Sequence, residues 1–483
     1  MKRMNTVVKK NRSETLCNIP LIRKNVILLL IAFLPLVAVA QSAGGQIKRP
    51  VQKHQSSTKS TKKDLKSEGV VNNRNKERRT DRPKSHNSGI NDTPVNTQQQ
   101  RISNNSVPAN TKQESIGNRQ HVIDSFVNAD YAIFDNVSYF NEDYAAVEVN
   151  KKWGFIDKSG NMVIPCQYYY TRGFSEGLAS VILNGEIGFI DKKGRVVIPF
   201  SSYDLTEDFK EGLALVMIND KYGVIDKTGK MVVPCKFDFV FSDFFHEGLA
   251  VVEIKEKYGF INKTGRKVIP SKYDSAGDFK EGLARVELKG KYGFIDKRGR
   301  VVIPFIYDNA GEFAEGFADV VHNGKRGFID KTGNIVVPYK YEYDKKDYED
   351  GFSEGLAKVK LNGKYGFINI YGRDIVPFKY SSAKAFSEGF AAVCLNGKWG
   401  FIDKTGKQVV PCNYSSAESF YGGLAIVVLN GKYGFVDNTG REVIPCKLEN
   451  AKYFHEGFAG VKVNGKWGFI DKTGRFLRIN GIE

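Results

Sequence analysis

Gly282-Leu-Ala-Arg-Val-Glu-Leu-Lys-Gly-Lys-Tyr-Gly-Phe-Ile-Asp-Lys-Arg-Gly-Arg-Val-Val-Ile-Pro-Phe305 is the unit from which most of this 483-residue chain is made. Aligned on the glycine that follows Tyr or Trp, variants of it recur at Gly154, Gly188, Gly223, Gly259, Gly293, Gly327, Gly366, Gly400, Gly434 and Gly468. The steps are 34, 35, 36, 34, 34, 39, 34, 34 and 34 residues. A fixed period of this size marks a repeat architecture, in which one supersecondary unit cannot bury its apolar face alone and must stack on its neighbours.

Within a unit, alternation is the main signal. In Gly355-Leu-Ala-Lys-Val-Lys-Leu361, Ala357, Val359 and Leu361 take one side and Lys358 and Lys360 the other, which predicts a half-buried first strand. Asn-Gly follows at 184, 323, 362, 396, 430 and 464, the pair that a two-residue type I′ hairpin demands, so the pairing is antiparallel. A second strand, Lys-Tyr/Trp-Gly-Phe-Ile-Asp, ends in a turn such as Asp403-Lys-Thr-Gly406, and a third, such as Val301-Val-Ile-Pro304, ends at a proline that cannot donate to a ladder. The return, Pro-x-x-Tyr then Phe-x-Glu-Gly, reads as an irregular loop whose Tyr and Phe plug the apolar face between units. No helical pattern exceeds a turn.

These observations predict an all-β tandem array of about ten three-stranded antiparallel units over residues 121–483. The favoured form is an open, twisted, solenoid-like stack, with a closed β-propeller-like ring as the alternative. An open stack absorbs the long sixth step, where residues 343–351 form a small insertion.

Lys2, Arg3, Lys9, Lys10, Arg12, Arg23 and Lys24 precede an apolar run from Val26 to Ala40 that ends Ala-Val-Ala-Gln. This is the pattern of a signal peptide over residues 1–40, with an uncleaved membrane anchor at 26–40 as the alternative. Residues 41–120 are basic, polar and poor in aromatics, the composition of a disordered linker. Of the net charge of +18, these two segments carry most: residues 121–483 hold 49 Lys/Arg and 47 Asp/Glu. The basic balance is therefore poor support for nucleic-acid binding by the array. The predicted location is the periplasm, the cell surface or the medium.

Trp399-Gly-Phe-Ile-Asp-Lys-Thr-Gly406 followed by Val409-Val-Pro411 resembles the WG-repeat family of bacterial proteins, over about residues 125–483. The resemblance implies a β-rich interaction module without a general enzymatic activity. Ile187 and Arg326 depart from the aromatic of the motif, and the last copy ends Phe476-Leu-Arg-Ile479 without its proline.

Chemistry is sparse. Glu176, Glu211, Glu247, Glu281, Glu315, Glu354, Glu388 and Glu456 recur, as do Asp157, Asp191, Asp226, Asp296, Asp330, Asp403, Asp437 and Asp471, but Asn262 and Asn369 fill two of the Asp positions. Asn keeps the acceptor oxygen and loses the charge, which suits a turn and not a general base. No catalytic residue, cofactor site or metal site is expected. His246 and His455 share one position, and Cys412 with Cys446 is the candidate disulfide, against a reading as free buried thiols. Trp153, Tyr365, Trp399, Tyr433 and Trp467 are the candidate ligand-stacking residues, weighed against packing between units. The expected role is a non-catalytic surface for a protein or an envelope polysaccharide. Glycan binding through these aromatics, or an enzyme with a site outside the recurring residues, are the alternatives.

Overall fold

The computed structural model describes residues 131–240, 245–343 and 351–481. The leader (1–40), the basic linker (41–120) and most of the insertion (343–351) lie outside the described residues. What is described is all-β, with no α-helix and no sheet closed on itself. The fifth unit shows the pattern with one of the longer leading strands. A leading strand Ser275–Lys280 is followed by the first strand Leu283–Leu288, the second Lys291–Asp296 and the third Val301–Tyr307, in a simple antiparallel meander. Most sheets are thus four-stranded, where three strands and an irregular loop were expected. The return loop provides the fourth: Asn309 and Ala310, one residue after the third strand ends at Tyr307, pair with Val321 and Val320 of the next unit. Backbone groups in a half-buried return need partners, and the neighbouring ladder provides them.

The first two hairpins of a unit turn through positive φ at both turn residues. Asn362 and Gly363 have φ of 50° and 73°, as the Asn-Gly pair predicts. Glu354 and Gly355, between leading and first strands, have 54° and 83°. Glutamate has no local reason to sit there, and its presence is explained by the carboxylate below.

The glycine of the second strand has a different cause. The third strand is bulged where it crosses this glycine: Tyr292 pairs with Tyr307 and Phe294 with Ile303, skipping a register. A Cβ on Gly293 would lie 2.6 Å from the Ile303 carbonyl oxygen, and on Gly400 2.4 Å from that of Val410. Only a residue without a side chain lets the bulge cross so closely.

The core lies between units. The Phe of Gly-Phe-Ile-Asp packs on the Phe of the next unit's Phe-x-Glu-Gly, as in Phe294 with Phe313 at 4.8 Å between ring centres and Phe367 with Phe386 at 4.8 Å. Each fully buried ring contributes about 1.5–3 kcal/mol, and each edge-on pair about 1 kcal/mol more.

The two ends of the array meet. Phe469 of the tenth unit packs on Phe140 of the first at 4.8 Å, and Phe134 and Trp467 exchange backbone hydrogen bonds of 3.0 and 2.8 Å. The segment around Phe134 takes the place of the missing third strand of the tenth unit, which is why a Cβ on Gly468 would meet the Tyr131 carbonyl oxygen at 2.7 Å. The terminal segment also returns to the first unit, where Asn480 exchanges backbone hydrogen bonds with Gly160 and Met162. This end-to-end contact is the one the ring alternative requires.

Candidate functional site

The recurring carboxylates are consumed within the array. Glu354 accepts a hydrogen bond from the Gly389 N–H of the next unit at 2.9 Å and pairs with Lys404 of that unit at 3.0 Å. The same link joins Glu142 to Gly177 and Lys192, Glu176 to Gly212 and Lys227, Glu247 to Gly282 and Lys297, and Glu281 to Gly316 and Lys331. At the seam, Glu456 accepts from the N–H groups of Glu142 and Asp143, both at 2.9 Å, and pairs with Lys158 at 2.9 Å. Burial pushes the Glu456 carboxyl up, but the hydrogen bonds from Lys158, Asp143 and Glu142 outweigh it and hold the group below the usual range. In the ninth unit Gly422 has no carboxylate, and Lys472 donates to the Gly422 carbonyl instead, at 2.7 Å.

The aspartates close their own turns. Asp403 Oδ1 accepts from the N–H of Thr405 and of Lys407 and from the Thr405 hydroxyl, and Asn369 accepts from Tyr371 and Arg373 in the same way. The Thr332 hydroxyl leads the set of hydrogen bonds that lowers Asp330 to about 2. A carboxylate so engaged at neutral pH is a poor proton acceptor.

The five stacking candidates do not come together. Each belongs to a different junction core: Tyr365 and Trp467 are buried, at 8% and 9% exposure, while Trp153, Trp399 and Tyr433 keep part of their rings at the surface. Where Arg326 replaces the aromatic it is equally buried; its Nε donates to Asp319 at 3.0 Å and its guanidinium reaches the Lys358 carbonyl. Ile187, too small for the same position, leaves a small cavity beside Tyr170, Arg172, Ser180 and Thr206. Cys412 and Cys446 are separate free thiols, as are Cys166, Cys235 and Cys394.

The residues that differ between units are brought together along the leading strands, where consecutive units interlock. Arg172 pairs with Glu207 at 2.6 Å, and Lys384 with Glu418, each one unit further along. Across the ninth, tenth and first units this belt becomes aromatic. Tyr421, Tyr453, His455 and Tyr139 gather there, with Tyr421 and Tyr139 exposed by 48% and 42%. Ring centres are 6.0 Å apart for Tyr421 and Tyr453, 6.4 Å for Tyr421 and His455, whose planes differ by 9°, and 6.2 Å for Tyr139 and His455. The Tyr453 hydroxyl donates to Glu418 Oε2 at 3.0 Å. His455 Nδ1 lies 2.5 Å from the Phe140 carbonyl oxygen, which can only accept, so Nδ1 carries the proton and Nε2 is the acceptor in the neutral ring. In the sequence His455 stands out by sharing its position with His246, but nothing local places it beside Tyr139, Tyr421 and Tyr453. The available signal is that aromatics break the unit's pattern there: the Tyr421 position is Ser175, Lys210, Lys280, Ala314 or Ser387 in other units, and histidine at His246 and His455.

Among the described residues no group of His, Cys, Asp and Glu is arranged to hold a metal ion, and no helix is long and apolar enough to cross a membrane.

The profile of a family described as WG containing repeat matches ten consecutive segments between residues 131 and 467. No curated protein matches the chain. Among solved structures it is similar to a eukaryotic initiation factor, at 12% identity over 62% of this chain and 93% of that one, with a TM-score of 0.40. It is also similar to PorZ, a bacterial surface component of the type-IX secretion system of Porphyromonas gingivalis (9% identity, 71% and 58% coverage, TM-score 0.23). A third is the extracellular domain of BT3049 from B. thetaiotaomicron (7%, 74% and 65%, 0.23).

Proposed function

Because the chain belongs to the WG containing repeat family, we propose that it is an exported, non-catalytic interaction protein whose repeats are scaffold and whose departures from the repeat make the binding surface. The supporting observation is the use of its polar groups. The recurring Glu side chains bind the next unit and the recurring Asp side chains bind their own turns, so the groups that could have served catalysis are occupied. The side chains that vary between units remain, concentrated along the leading strands. Export follows from reading residues 1–40 as a leader, and the partner is a protein or an envelope polysaccharide.

A second reading keeps Trp153, Trp399 and Tyr433 as glycan-stacking positions, supported by the part of each ring at the surface. To test the proposal, the immobilised full-length protein is exposed to solubilised envelope and to purified insoluble envelope polysaccharide. Saturable binding to either, with no soluble sugar released from the polymer, is the expected result. Protein-dependent release would overturn the non-catalytic assignment, and absence of saturable binding to both would overturn the interaction role.

A further inference from the structure

We propose that the platform formed by Tyr139, Tyr421, Tyr453 and His455, at the meeting of the ninth, tenth and first units, binds a pyranose ring of a polysaccharide. This rests on the interaction role proposed above and gives it a site and a ligand class. Three features carry it.

The first is that the fold does not ask for these aromatics. In other units the Tyr139 and Tyr453 position is Gly173, Asp208, Asp278, Glu312, Ala385 or Ser419, with Phe244 as the one other aromatic, yet those units pack by the same buried Phe pairs. Four rings gather in one sector: Tyr453 also packs against the core of the tenth unit, while Tyr139 and Tyr421 are about half exposed and form the open part of the patch.

The second is the kind of polar group at its rim. Glu418 holds Tyr453 and Lys384 through Oε2, leaving Oε1 as an acceptor on a side chain that is 39% exposed. His455 Nε2 is a second acceptor, because Nδ1–H is committed to Phe140. An aromatic face with acceptors at its edge matches a sugar, whose C–H face stacks while its hydroxyls donate.

The third is charge. Lys452 is the cation at the platform: its ammonium donates to the Val137 carbonyl and lies between two rings, 5.1 Å from the Trp467 ring centre and 5.7 Å from that of Tyr139. Burial lowers it to about 8. Lys384 is neutralised by Glu418. The cations that border the platform are thus engaged within the fold, Lys472 included through the Gly422 carbonyl, and do not form the open basic track that a nucleic acid would need.

The test measures retention of full-length protein on insoluble envelope polysaccharide and on β-1,4-linked N-acetylglucosamine and glucose polymers. Wild type is compared with a Tyr139→Ala, Tyr421→Ala double variant, with Tyr421→Phe, and with Trp399→Ala at the distant motif position. Circular dichroism and thermal melting check the fold of each. The site predicts at least a tenfold loss of apparent affinity in the double variant, with Tyr421→Phe, which keeps the ring, within threefold of wild type. Retention of a folded double variant at wild-type strength overturns the site while leaving the interaction role intact. Loss in Trp399→Ala with none in the double variant moves sugar binding to the motif aromatics. Failure of the wild type to bind any polymer overturns the site, and the interaction role then stands or falls on protein partners alone.

Discussion

The junction between the seventh and eighth units and the seam between the tenth and first are built from the same contacts, yet only one of them has the chain running through it. Glu354 meets Gly389 and Lys404 at the former, and Glu456 meets Glu142, Asp143 and Lys158 at the latter, with pairing distances of 3.0 and 2.9 Å. At the interior junction the third strand passes directly into the next unit's leading strand. At the seam that strand is replaced by a separate segment at the start of the array, held to Trp467 by two backbone hydrogen bonds. The difference teaches that a junction does not need an unbroken chain: side chains, turns and a segment that pairs in place of the third strand are enough.

The largest expected effect separates the two regions. In Gly400→Ala the new Cβ meets a third strand pinned on both sides, so the variant should lose about 4 kcal/mol or more in urea unfolding. In Gly468→Ala the facing segment begins the array and can yield, so the loss should be at most half of that. Equal losses would mean the seam is as rigid as an interior junction.

Next is Phe134→Ala, a completely buried ring at the seam, expected to cost about 3 kcal/mol and to raise exchange of the Trp467 amide before that of the Trp399 amide. Uniform exchange across both would remove the distinction.

Glu456→Gln and Glu354→Gln should each cost about 1 kcal/mol or less, because both pairs are partly exposed. The pH dependence has a definite sign. Glu176, Glu247 and Glu456 titrate below their unfolded values, burial raising each but hydrogen bonds from lysines and turn N–H groups prevailing. The unfolded chain then binds more protons, so this stabilisation is complete above the ordinary glutamate range and is lost as pH falls through the lowered values. Melting temperatures should decline from pH 6 to pH 3, less steeply in a variant with Glu176, Glu247 and Glu456 all changed to Gln.

The smallest effect is that of Tyr421→Ala on stability, under about 0.5 kcal/mol, because the ring is half exposed. A large loss would show that the aromatic sector helps hold the seam.

Much of this was legible in the spacing of glycines. The meander, its hairpins and the burial of Phe between units follow from alternation in stretches such as Leu356 to Leu361 and from Asn-Gly pairs. The leading strand was not legible, because two residues such as Asn309 and Ala310 carry no periodicity and pair only with the next unit. Glu-Gly was visible as a recurring pair, but its purpose depends on a lysine about fifty positions further on, beyond any local pattern. The aromatic platform was hidden for the same reason: Tyr139 and His455 lie 316 positions apart in the chain and adjoin only because the ends do.

The Glu-to-turn link has a direction, since every unit but the ninth offers a carboxylate on one edge and amides with an ammonium on the other. An unlatched chain would expose one of each, and a second unlatched chain would fit it at both ends. Refolding at high concentration is therefore the condition under which two molecules interlock head to tail and trade the intramolecular latch for a pair of intermolecular ones.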